Sequence, residues 1–227
     1  QALETYRDTD PYCYAVYFLG GWGVLGQSIF DGKRLTQRLG ELPGPVKQGG
    51  FTWQEPPGRP GHIAGETIRF LESPQGLTKM YREPCPGRSY VVGGDTAGEG
   101  SDFNVAQVLD RETGEQVCTL RGPMDEDLFA RQLYCLGLYY NTALLAVEIN
   151  FSTYPVRELE RLGYPRQYRR MGEDGLTGRP RQSWGFRTTS ATRPLLIAGL
   201  VELARDCPRR LNDRETIQEM LRFVRSD

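Results

Sequence analysis

The stretch from Ser89 to Asn104 constrains this chain more than any other. It opens on Tyr90-Val91-Val92, an apolar and β-branched run that predicts a buried strand. Gly93, Gly94, Gly98 and Gly100 follow, and they let the backbone turn where a side chain would clash. Asp95 is therefore expected at a strand end beside a tight loop. Such a place holds a carboxylate rigidly and leaves it open to solvent and ligand. Over these residues alone, a plain hairpin turn whose aspartates satisfy backbone amides reads the same way. Asp102 lies across the loop, where it either approaches a cation from the far side or caps the hairpin; the cap is the preferred reading.

The chain after this loop favours more than a hairpin. Asn104 to Asp110 and Gln116 to Leu120 read as two further strands around the Thr113-Gly114 turn, completing an antiparallel meander. Asp125-Glu126-Asp127 opens a helix to about Tyr140, with acids favourable at its N-terminus. Leu128, Leu133, Leu136 and Tyr140 are expected on its apolar face. Ala143 to Asn150 follows as a fourth strand, apolar almost throughout, as in a strand buried on both faces. Glu148 stands near its end, where a carboxylate is costly unless paired or bound to a metal. If the first and fourth strands are parallel neighbours, Asp95 and Glu148 emerge together at the carboxyl edge of the sheet, where α/β sheets bind ligands. Two acids there can hold divalent cations for phosphodiester hydrolysis. A salt bridge from Glu148 to an arginine is the alternative.

A short helix from Tyr154 to Leu162, a possible fifth strand from Pro165 to Arg170, and a β-hairpin excursion from Gly172 to Gly185 come next. A helix from about Thr192 to Arg205 follows, with Leu195, Leu196, Leu200 and Leu203 as its buried side. The stretch 211–225 is ambiguous between helix and strand. Upstream, Tyr12 to Leu19 is a sticky apolar segment, and 31–61, rich in Gly and Pro, reads as a linker with little structure of its own. Residues 67–72 and 78–82 flank Ser73-Pro74-Gln75-Gly76 as an expected hairpin.

Composition excludes several classes. Five scattered cysteines without a Cys-x-x-Cys pair argue for reduced thiols, and a single histidine, His62, makes a His/Cys zinc site improbable. A metal held by oxygen should be Mg²⁺ or Mn²⁺. No apolar run approaches membrane-spanning length. Charge is uneven: residues 1–150 carry 13 Lys+Arg and 19 Asp+Glu, and residues 151–227 carry 15 and 10, all fifteen cations being arginine. An acid-bearing part beside an arginine-rich part suits an anionic polymer held by one and cut by the other. Arg169, Arg170, Arg179, Arg181 and Arg187, around the hairpin excursion, are the expected phosphate contacts.

Gly94-Asp95-Thr96-Ala97-Gly98-Glu99-Gly100-Ser101-Asp102, followed by Val147-Glu148-Ile149-Asn150, resembles the nuclease domain of phage terminase large subunits. The resemblance continues through Asn150 to Val156, Leu162-Gly163-Tyr164-Pro165 and the helix near Thr192, covering about residues 80–227. It implies a ribonuclease H-like α/β fold: a mixed sheet of a three-stranded antiparallel meander plus parallel strands, flanked by helices, with an N-terminal extension. It implies three parts. Residues 1–35 would be the end of an ATPase domain, 36–88 a linker and hairpin, and 89–227 the nuclease domain. It implies a two-metal endonuclease cutting concatemeric double-stranded DNA in the bacterial host cytoplasm, with Asp95 and Glu148 as catalytic metal ligands and Asp102 as a weaker one. It further implies work with an ATPase domain in the same full-length chain, a terminase small subunit and a portal.

The family's third acid lies in an Asp-Asp motif opening a C-terminal helix, and the chain stops at Asp227 in the stretch that should precede it. Asp213 better suits a turn or helix cap. Poor cleavage by these 227 residues alone is the expectation that follows. Two other classes stand beside this one. A non-catalytic DNA- or portal-docking module would use the acids only to shape the fold. An actin- or sugar-kinase-like ATPase would need a second Asp-Gly phosphate loop and a Gly-Gly adenosine motif, and no Gly-Gly pair follows Glu148.

Overall fold

The computed structural model describes residues 28–96, 103–173 and 180–223. Two compact units divide the chain: Pro45–Thr189, and Gln1–Gly44 with Ser190–Asp227. The first is built on a seven-stranded mixed sheet. Its strands are β1 (Lys47–Thr52), β2 (Arg69–Glu72), β3 (Thr78–Met80), β4 (Tyr90–Asp95), β5 (Asn104–Asp110), β6 (Gln116–Gly122) and β7 (Leu144–Val147). The spatial order is β2-β1-β3-β6-β5-β4-β7. The expected meander is present as antiparallel β4, β5 and β6, and β7 joins β4 in parallel.

Two helices cover one face of this sheet. The longer is α2 (Glu126–Tyr139), the shorter α3 (Tyr154–Arg161); α1 belongs to the other unit. Asp125 caps α2, its carboxylate accepting the Leu128 amide at 2.7 Å, which satisfies a donor the first turn leaves open. Phe129, Leu133 and Leu136 of α2 bury against Val92, Ala106, Val108, Leu145 and Val147 of the sheet and Leu159 of α3. Leu128, expected on this apolar face, is instead 40% exposed, and its neighbour Phe129 takes the core position.

The upstream region departs from the sequence reading. Residues 31–61 are not a featureless linker: they contain α1 (Gly32–Gly40) and β1. β2 and β3 do not pair as a hairpin, because β1 inserts between them and pairs antiparallel with both. Glycine permits this insertion. A Cβ on Gly49 would lie 2.0 Å from the Leu71 carbonyl oxygen, and one on Gly76 would lie 2.2 Å from the Gly49 Cα. Pairing with a strand remote in sequence leaves no local periodicity to read. Of the fifth strand expected at 165–170, Gln167 makes one parallel bridge to Leu145, and Arg169 and Arg170 open the hairpin that follows. The excursion that follows is the expected hairpin, with β8 (Arg169–Glu173) antiparallel to β9 (Pro180–Trp184).

The second unit joins α1 to α4 (Thr192–Asp206) and α5 (Arg214–Arg222) around Phe30, Leu35, Leu39, Ala204, Leu211, Ile217 and Met220. Asp213 caps α5, accepting the Thr216 amide at 2.8 Å, as its context suggests. The buried side expected for α4 is a correction. Leu195, Leu196 and Leu200 are 73%, 51% and 41% exposed, Leu203 is partly buried against the helical cluster as expected, and Ala204 is the fully buried residue of that helix. The stripe is apolar as read, but periodicity does not say what covers a stripe.

A fully buried carboxylate, Asp110, closes the meander turn. Burial pushes it up, but the Arg88 guanidinium and the amides of Glu112 and Thr113 outweigh burial and hold it below the usual carboxylate range. A lowered folded value means stability that is present above about pH 4, the unfolded value, and is lost as pH falls through the folded one. Asp110→Asn should cost about 1–3 kcal/mol near neutral pH and flatten the acid limb of a stability-against-pH curve. Urea denaturation of both proteins between pH 2 and 7 measures this; parallel acid limbs would contradict it. Cys85, Cys118, Cys135 and Cys207 are free thiols, and burial pushes Cys135 up to about 12, so it is chemically quiet.

Candidate metal centre and nucleic-acid interface

The parallel pairing of β4 and β7 builds the candidate site. Gly94 lies opposite Val147, and the Glu148 amide donates to the Gly94 carbonyl at 2.7 Å. One residue further along, Asp95 and Glu148 therefore stand side by side at the carboxyl ends of neighbouring strands. Side chains alternate between faces along a strand. Val92, Gly94, Leu145 and Val147 fill the helix-covered face, so Asp95 and Glu148 share the opposite one. That face is open at this point. Asp95 is exposed, Glu148 is half-buried, and a Cβ added to Gly93 on the same face would meet nothing within 4 Å.

Glu148 makes no ion pair among the described residues, so the salt-bridge alternative for it has no partner here. His62 lies elsewhere, in a loop where Arg161 approaches its ring nitrogen at 3.4 Å. Among the described residues no group of three His, Cys, Asp or Glu side chains gathers as a metal set. Asp95 and Glu148 offer oxygen donors only, which suit a hard divalent cation. Asp102 falls outside the described residues.

A second segment docks beside β7. Phe186 bridges Glu148 in parallel: the Ile149 amide donates to the Phe186 carbonyl at 2.9 Å, and the Phe186 amide to that of Val147 at 2.8 Å. Gly185 makes the approach possible. Its φ is +86°, and a Cβ there would lie 2.3 Å from Ile149. The Asn150 side chain then fastens the segment, donating to the Thr188 carbonyl at 2.6 Å and accepting its amide at 2.9 Å. The sequence reading quoted Asn150 only as part of a resemblance; its clamp joins residues 38 apart and leaves no local signal.

The expected phosphate contacts distribute unevenly. Arg187 follows Phe186 directly and is brought to the strand beside Glu148. Arg169 and Arg170 lie on β8, with the Arg169 guanidinium 4.3 Å over the Trp184 ring. The Arg170 Nε is buried with no hydrogen-bond partner. Arg181 belongs to β9, opposite Gly172, and Arg179 falls outside the described residues. The hairpin therefore leads directly, through Gly185 and Phe186, to the acid-bearing edge.

No family model matches the chain, and no characterised protein matches it by sequence. Solved structures share its fold. The large terminase nuclease from thermophilic phage G20c is 20% identical, covering 67% of this chain and 74% of its own, with a TM-score of 0.50. The same nuclease with bound magnesium is 18% identical, covering 88% of this chain and 82% of its own, at 0.52, and the cobalt-bound form gives the same figures. The chain has the ribonuclease H-like fold of the large terminase nucleases.

Proposed function

We propose that this chain is a metal-dependent endonuclease module of a viral DNA-packaging terminase. The observation that carries the reading is the parallel register that sets Asp95 beside Glu148 at neighbouring strand ends. The fold shared with large terminase nucleases, one of them with bound magnesium, supports it. Asp95 and Glu148 would hold Mg²⁺ or Mn²⁺, oxygen ligands suiting these hard ions. When bound in a two-metal arrangement, such ions activate water and stabilise the leaving oxygen of a phosphodiester. The chain's own part is to place two carboxylates at fixed strand ends, so that little reorganisation is needed on binding.

The substrate of this reading is double-stranded DNA, held through its phosphates without base readout. The ATPase domain, small subunit and portal, in the host cytoplasm, are its proposed setting. Among the described residues no helix is long and apolar enough to cross a membrane. Nicking of supercoiled plasmid with Mn²⁺ tests the activity: the reading expects cutting that chelator stops and that tolerates sequence, and metal-independent cutting would overturn it.

The arginines of the excursion give a second expected result. Replacing Arg179 and Arg181 together by alanine should lower the slope of log affinity against log salt by up to about two, roughly 0.9 for each phosphate released. Fluorescence anisotropy on a duplex between 50 and 200 mM salt reads this. An unchanged slope would leave the hairpin as a solvated excursion.

A further inference from the structure

Two aromatic rings on the acid-bearing face have no place in the reading above. Phe186 is the residue opposite Glu148, and residues opposite one another in a sheet point to the same side. Phe186 therefore stands on the face that holds Glu148 and Asp95. Gly185, just before it, faces the other way: a Cβ there would meet Ile149 and Val156. Tyr168 reaches the acid-bearing face by a separate route. Gln167 bridges Leu145, which fills the helix-covered face, so the next residue, Tyr168, points away from that face. Its amide donates to the Leu145 carbonyl at 2.7 Å, and its carbonyl accepts the Gly185 amide at 3.0 Å. The two rings meet with centroids 5.9 Å apart and planes at 56°. Both residues are partly exposed, and neither belongs to the core cluster among the described residues. One tilted contact does not occupy both faces of a ring. The floor beside the pair is low, since Ala146 pairs with Gly93 in the row before the acids.

We propose that Phe186, braced by Tyr168, is a stacking wall for an unpaired nucleobase next to the phosphate to be cut. The proposal rests on the nuclease reading for its substrate, and it adds a preference for strands whose bases are free. A base inside a duplex is stacked on its neighbours and must leave the stack before a side-chain ring can take its face; an unpaired base avoids most of that cost. Stacking tolerates any sequence, because every base has a π-face, so the wall holds a strand without reading it.

The test follows binding of a single-stranded oligonucleotide of mixed sequence to the 227-residue chain, by fluorescence anisotropy in the absence of divalent metal. Phe186→Leu, apolar and of similar bulk, should lower the affinity by about fivefold or more, the lower end of what a stacked base loses with its ring. The slope of log affinity against log salt should stay as it is, since no charge is removed. Phe186→Tyr keeps the ring and should bind as the unaltered chain does. Affinity for a fully paired duplex should be the same in all three proteins, and their thermal midpoints should agree. Unchanged single-strand affinity in Phe186→Leu would overturn the proposal, as would an equal loss on duplex. So would a loss that Phe186→Tyr shares, with a lowered midpoint, which marks a ring that only braces the strand. Plasmid nicking with Mn²⁺ separates this proposal from the nuclease reading. A chain that cuts, with single-strand affinity indifferent to Phe186→Leu, loses the wall and keeps the nuclease reading. A chain whose single-strand affinity falls as expected in Phe186→Leu, but which never cuts, keeps the wall and loses the nuclease reading. No single-strand binding by the unaltered chain would overturn the wall.

Discussion

Asp95→Asn should abolish Mn²⁺-dependent nicking, lowering the rate by about three orders of magnitude, and Glu148→Gln should do the same. A bound cation contributes several kcal/mol of transition-state stabilisation, and each 1.36 kcal/mol is a factor of ten in rate. The substitution keeps shape and removes the charge that holds the cation. Stability should move little, because Asp95 is exposed and the amide keeps its shape. Loss of activity with a nearly equal thermal midpoint is therefore the expected pair of results. It should be read on the 227-residue chain. Full activity in Asp95→Asn, or inactivity with a collapsed midpoint, would contradict it.

The second large effect is structural. Leu133 lies on α2, is fully buried, and its Cδ1 comes within 3.7 Å of where a Cβ on Gly94 would be, beside Val147. It thus packs directly beneath the two strand ends that carry the acids. Leu133→Ala should cost about 2–5 kcal/mol, the transfer free energy of the lost atoms plus the cavity they leave. Such a loss is a large part of the 5–15 kcal/mol that holds an ordinary domain together. Phe151→Ala, at a site 60% exposed, should cost less than about 0.5 kcal/mol. Urea denaturation of the two variants gives the contrast, and similar midpoints for both would show that the core does not lie where α2 meets the sheet.

The meander, α2 and the acid pair were legible because their signals are local. Tyr90 to Gly94 and Leu144 to Val147 are uncharged runs of strand length, and each is followed by a carboxylate that such a run would otherwise exclude. Asp125 and Asp213 announce their helices by cap chemistry within a few residues. What the sequence did not reveal is held by partners far along the chain. β1 is a Gly-containing strand whose identity comes from β2 and β3 on either side of it. The exposed leucines of α4 make the same point from the other side. Residues 195, 196 and 200 have the right spacing for burial, and spacing alone does not supply a neighbour.

The central claim is that Asp95 and Glu148 together hold a divalent cation, and Mn²⁺ located by its anomalous scattering in crystals of the chain tests it most directly. The account predicts a peak in contact with both carboxylates at the carboxyl ends of β4 and β7, lost in Asp95→Asn crystals soaked alike. Carboxylates turned to opposite faces of the sheet, or Mn²⁺ bound elsewhere with this edge empty, would contradict it.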